Sequence, residues 1–136
     1  MANEWVLIEK LSEPIDFTVA DGAGIEKGTL MALSSPRTAV ANTVSGAVLV
    51  GILAREKIAN DGRTRSAVFL RGVFKMRASG AVVLGQAVQG GGLPGNLVTS
   101  PPTSGVKGSR ILGIALETIA DNAEGHILVN IGAGGQ

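Results

Sequence analysis

The sequence predicts a mostly β domain, a small barrel or sandwich with an N-terminal arm. Three observations carry this. Apolar residues fall in short runs separated by turn residues, and helix signals are poor throughout. Glycine supplies 20 of the 136 residues, about twice its usual share of roughly 7%. Val68, Leu70, Gly72, Phe74 and Met76 alternate with Phe69, Arg71, Val73, Lys75 and Arg77. Period two marks a strand with one face on the core and one face largely wet.

Residues 4–10 mix apolar and charged positions over one strand length, and Pro14 interrupts them. Residues 1–14 therefore read as an arm or edge strand, and 15–136 as a single β domain. Ile15 to Ala20 resumes an extended pattern before a turn at Asp21-Gly-Ala-Gly. Gly28 to Leu33 is a short apolar strand closed by Ser34-Ser-Pro36, and Thr38 to Val44 a weaker one. Gly46 to Ile58 is the strongest buried-strand candidate. Asp61-Gly62 suits the positive φ of a two-residue hairpin turn into the alternating strand. Ala81 to Gln89 gives a further strand. Residues 89–109 carry six glycines and three prolines, and read either as a linker or as a long ordered loop of the kind that is often functional. Arg110 to Ile119 is another buried strand, Asp121 to Gly125 a turn, and His126 to Ile131 a last alternating strand. Leu116 to Ala123 is the best helix candidate, and a short one.

The two halves resemble each other. Gly51-Ile52, a turn at Gly62 and a strand ending at Gly72 are echoed by Gly113-Ile114, Gly125 and Gly132, at offsets of 62, 63 and 60 residues. Gly28, opening a short strand, has a looser echo in Gly85. This pattern suggests a duplicated hairpin unit. Two copies are too few for a solenoid but suit a barrel or sandwich with pseudo-twofold character.

Composition bounds the chemistry. Leu, Ile, Val and Phe make 29% of the chain, well above the ~20% below which chains stay disordered. Cysteine is absent, which removes disulfides, thiolate metal sites and cysteine nucleophiles. The sole histidine, His126, opens a strand and reads as a core or rim residue rather than a catalyst. No Gly-x-Ser-x-Gly elbow, paired-carboxylate motif or metal-ligand cluster occurs. Lys27-Gly28-Thr29 and Lys107-Gly108-Ser109 put the lysine before the glycine, the reverse of a phosphate loop. The expectation is a non-enzyme with no cofactor and no metal. Net charge is +1, and the longest apolar run, Ala47 to Ala54, is short of a membrane span. Neither membrane nor nucleic acid is expected as a partner.

Charge is unevenly spread. Residues 55–77 hold seven basic and two acidic residues, and the remainder five basic and nine acidic. The plain reading is a solvated strand face and hairpin tip. The functional reading is a stripe (Arg63, Arg65, Arg71, Lys75, Arg77) that meets an acidic surface on a neighbour. Nucleic-acid binding is the weaker alternative, because stacking aromatics are not interleaved with these residues. Trp5 and Leu7 sit in the arm, where Trp5 either packs on its own domain or anchors a strand added to another subunit. Leu93 and Pro94 are contact candidates in the 89–109 segment.

The order of these elements resembles a known family. It runs from Gly28 to Leu33, through Val-Gly-Ile-Leu-Ala (Val50 to Ala54) and a charged hairpin into Gly-Val-Phe (Gly72 to Phe74). Val-Leu-Gly-Gln-Ala-Val (Val83 to Val88), a Gly/Pro/Ser/Thr loop, Ile-Leu-Gly-Ile-Ala (Ile111 to Ala115) and Ile-Leu-Val-Asn-Ile-Gly (Ile127 to Gly132) follow. Over nearly the whole chain this resembles the small capsid decoration, or cement, proteins of tailed bacteriophages. The resemblance implies a homotrimer on the outer surface of the expanded head, at threefold or quasi-threefold positions. There it would clamp the major capsid protein, with an arm of about Ala2 to Leu11 used for docking. It implies a virion protein made in the host cytoplasm. Some relatives carry a recombinase-like label, which the missing phosphate loop argues against here. The other reading, a small β adhesin or head-fibre module, would need exposed aromatics. An isolated monomer of so thin a core is expected to be marginal.

Overall fold

The computed structural model describes residues 4–43, 47–91, 97–99 and 110–131. Eleven strands run in chain order: β1 (Val6–Lys10), β2 (Ile15–Thr18), β3 (Leu30–Ser35), β4 (Thr38–Ala41), β5 (Leu49–Leu53), β6 (Arg65–Phe69), β7 (Arg71–Arg77), β8 (Ala87–Gly90), β9 (Val98–Thr99), β10 (Gly113–Ala115) and β11 (Glu124–Asn130). Strands β2-β4-β3-β5-β6 form a closed barrel, and β1-β7-β11-β10-β8-β9 form a six-stranded sheet. The chain is a small β protein, and the barrel alternative is the one realised.

The second sheet repeats the first barrel almost strand for strand. Ile15 pairs with Val68 on β2 and β6, as Gly72 pairs with Val129 on β7 and β11. Leu30–Ile52 and Met31–Gly51 on β3 and β5 correspond to Ala87–Ile114 and Val88–Gly113 on β8 and β10. Ala32–Val40 corresponds to Gln89–Thr99. The barrel closes through a parallel pairing of Thr18 with Thr38, and an isolated parallel bridge, Ala78 to Val98, ties β9 back beyond β7. One junction differs: Ile52 faces Phe69, whereas Ile114 faces Leu128, a shift of two residues that keeps the same side chains inward.

The interiors repeat as well. The first core holds Phe17, Val19, Met31, Ala39, Val50, Leu53 and Val68. Their counterparts Phe74, Met76, Val88, Val98, Leu112, Ala115 and Val129 lie in the second. That second core also takes in Leu30, Leu49 and Ile52 from the outside of the first barrel, and Trp5 from the arm. The outer face of the barrel is thus packed on the six-stranded sheet, and the two units share one core.

Two glycines explain how adjacent strands come so close. A Cβ on Gly51 would lie 1.9 Å from the Phe69 carbonyl oxygen, and one on Gly113 would lie 1.8 Å from that of Leu128. Only glycine fits at either place.

Several expectations need correction. The alternating stretch is two strands, not one. It breaks at Leu70, whose side chain packs on the first core while its carbonyl accepts from Ile131 N–H, so the chain passes from one unit to the other there. The β5–β6 connection spans 54–64 rather than a two-residue turn, because Asp61 is committed to Lys57 and to the Arg63 N–H. The strands expected over 46–58, 81–89 and 110–119 shrink to β5, β8 and β10. Lys57, Val82 and Ile119 make only isolated bridges outside them. Leu116 to Ala123 is a turn and bridge, not a helix. Gly125 is no turn either: it is buried within β11, with an Ile119 side-chain atom 2.5 Å from where its Cβ would stand. The 89–109 segment is not wholly loop, since it contributes to β8 and β9. Leu93, Pro94 and Gly132 lie outside the described residues.

Candidate interaction surface

The arm becomes the edge strand β1, antiparallel to β7, with Val6 opposite Lys75 and Leu7 opposite Phe74. Trp5, just before it, is 2% exposed. Its ring meets Phe74 edge-on at 6.3 Å, and Phe74 meets Phe69 at 5.8 Å. The Trp5 N–H donates to the Gly28 carbonyl at 3.0 Å. Trp5 is therefore used inside its own chain, the packing alternative of the sequence reading. The arm exposes the aliphatic side chains Val6, Leu7, Ile8 and Leu11 together with the charged Glu4, Glu9 and Lys10. Beside it lies a groove of about 380 Å³, walled by Glu4 to Leu7 on one side and by Lys27, Gly28, Ile52 and Ala54 on the other.

The basic residues do not form one stripe. Arg65 lies in the barrel opposite Thr18. Arg63 is on the loop before it and donates to the Glu56 carbonyl at 2.5 Å. Arg71, Lys75 and Arg77 line β7 in the other sheet, opposite Asn130, His126 and Glu124. Lys75 and Arg77 approach Glu124 at 3.6 and 3.8 Å, exposed pairs worth little in water. Arg77 also donates to the Asn122 carbonyl at 2.5 Å. The break at Leu70 is what splits the set.

Lys57, one of the seven basic residues of 55–77, is buried. Its Nζ sits 2.8 Å from Asp21 Oδ1, 2.7 Å from Asp61 Oδ1 and 2.6 Å from the Ile58 carbonyl. Burial opposes its charge, but the hydrogen bonds and attraction of both carboxylates outweigh that, and its pKa is raised. Asp61 is pulled down to about 2, first by the Lys57 hydrogen bond and then by the Arg63 N–H. The signal that could have exposed this is the repeat itself, because the offset of 62 residues joining Gly51 to Gly113 also joins Lys57 to Ile119.

On the outside of the six-stranded sheet, Ala87, Ile114, Leu128 and Val73 stand in one transverse row by register. Leu116, Val83 and Leu84 are exposed near its end. Arg71, Lys75 and Arg77 share the outward side of β7 with Val73. The surface can bury apolar area within a charged rim.

Among the described residues, no group of three or more His, Asp or Glu side chains is placed to hold a metal ion. His126 N–H donates to Glu117 Oε2 at 3.1 Å on an exposed rim. No helix among them is long and apolar enough to cross a membrane. No protein-family model matches the chain, and a search of curated proteins returns no similar sequence.

Proposed function

We propose that the chain is a structural virion protein. It decorates and stabilises a phage head as a homotrimer, binding the outer surface of the major capsid shell at threefold or quasi-threefold positions. The observation that carries this best is the exposed aliphatic side chains Val6, Leu7 and Ile8 on β1, the edge strand of the sheet among the described residues. That strand runs beside the basic side chains of β7. An open apolar edge is the usual place for another chain to add a strand or pack. Many weak contacts of that kind, repeated over a symmetric shell, stabilise it collectively. The order of glycines and apolar strands, which resembles the decoration family, supplies the identity of the partner.

The adhesin reading is the weaker one. Trp5, Phe17 and Phe74 are buried and Phe69 is half-buried. No ring is left as a platform for a sugar.

The test is co-sedimentation of the purified chain with expanded shells assembled from a tailed-phage major capsid protein taken from the same source genome. Saturable binding that raises the temperature at which shells open is expected. Shells that sediment bare at excess protein would overturn the proposal.

A further inference from the structure

The chain contains two Asp-Gly sequences, Asp21-Gly22 and Asp61-Gly62. Such a pair is chemically labile in water. The glycine nitrogen, with no side chain to hinder it, attacks the Asp Cγ. The carboxyl oxygen leaves as water, and a five-membered succinimide forms. Water then reopens the ring at either carbonyl, giving Asp or isoaspartate with no net change in mass. Ring closure needs a neutral carboxyl, a glycine nitrogen able to lose its proton, and a backbone free to turn.

The fold brings both sequences to one buried ammonium. Lys57 Nζ donates to Oδ1 of Asp21 at 2.8 Å and to Oδ1 of Asp61 at 2.7 Å. The attacking nitrogen at Asp61 is that of Gly62, and its N–H donates to Asp21 Oδ1 at 3.0 Å. Asp61 Oδ1 also accepts from the Arg63 N–H at 2.9 Å. The turn at Asp21 is tied down through its carbonyl, which accepts from the Asn60 N–H at 2.7 Å and from Lys57 Nζ at 3.1 Å. Charge-assisted hydrogen bonds of this kind favour the ionised carboxylate, which is a poor target for attack. We propose that the Lys57 cluster protects the two Asp-Gly sequences from isomerisation, and that they are the positions at which the protein ages once the cluster opens. The second unit supports this. The offsets that relate Gly28 to Gly85 and Gly51 to Gly113 relate Asp21 to Ala78, Asp61 to Ala123 and Lys57 to Ile119. The labile sequences and the buried lysine thus occur together in one unit and are absent together from the other. The inference concerns the chain itself and is independent of what surface it binds.

The experiment is prolonged incubation of the full chain near neutral pH beside two synthetic peptides of residues 18–25 and 58–65. Isoaspartate at each position is read by peptide mapping with electron-transfer fragmentation. Folded wild type should isomerise more slowly than the peptides at both positions. At Asp61 the difference should be roughly tenfold or more, because a carboxyl titrating at about 2 is that much less often neutral than one at 3.8. Two variants test the cluster, with circular dichroism as the check that they fold. Lys57→Met should isomerise faster than wild type at both positions. Asp21→Ala keeps the pair of Lys57 with Asp61, and should be faster at Asp61 because the Gly62 N–H has lost its acceptor. Wild type that isomerises as fast as the peptide at either position would overturn the inference, as would folded variants no faster than wild type.

Discussion

Lys57 and Ile119 occupy the same position in the two units. Each forms the same reciprocal pair of backbone hydrogen bonds, Lys57 with Ile25 and Ile119 with Val82, at 2.8 Å throughout. Around Lys57 stand Asp21 and Asp61. By the same offsets, Ala78 and Ala123 stand around Ile119. One unit thus meets with a buried lysine and two partly exposed carboxylates what the other meets with aliphatic packing. Buried ion pairs are often replaceable as a set by apolar groups, while removing one partner leaves an uncompensated charge.

Replacing Lys57 alone by Met should therefore lower Tm by about 10 °C, since two carboxylates lose their partner. The triple change Asp21→Ala, Lys57→Ile, Asp61→Ala copies the second unit and should return Tm to within a few degrees of wild type. Thermal unfolding followed by circular dichroism distinguishes the two. A triple variant less stable than Lys57→Met would contradict the equivalence.

The same cluster sets a pH dependence. The folded pKa of Asp61, about 2, lies below its ordinary 3.8. Its contribution is present above the ordinary value and is lost as pH falls through the folded one. Lys57 is raised, so its contribution is full below its ordinary 10.5 and is lost as pH rises through the folded value. Tm should descend between about pH 4 and pH 2, and Asp61→Asn should flatten that descent. An unchanged slope in the variant would assign the acid loss elsewhere.

Gly51→Ala and Gly113→Ala should each cost more than about 3 kcal/mol, because the new methyl falls on a carbonyl of the neighbouring strand. Gly62→Ala is the control. Its φ is +84° but nothing lies within 4 Å of the added Cβ, so it should cost only about 1 kcal/mol. Denaturant titration reads all three, and equal losses would mean that strand spacing is not the cause.

Trp5→Ala should destabilise the chain by about 3–5 kcal/mol, the usual loss for a large core aromatic. A docking anchor would behave differently, leaving Tm alone and weakening only association. Unfolding and light scattering on the same sample separate the two roles.

The sequence made the β class legible because alternation and glycine-bounded apolar runs are local signals. The repeat was visible in Gly51 and Gly113, since both answer the same close strand approach. The break at Leu70 was not visible, because the period of two continues straight across it while the chain changes sheet. The role of Lys57 was not legible, because its ion pair is with Asp21, 36 residues earlier. For Trp5 the sequence left packing and anchoring side by side, and only the fold shows that the arm returns over Gly28 and Phe74.

The central claim is that this protein binds the outside of a capsid shell. An image reconstruction of expanded shells with and without the purified chain tests it most directly. The account predicts added density at threefold or quasi-threefold positions on the outer surface. Shells that look the same with the protein in excess, or density only at fivefold vertices or inside, would contradict it.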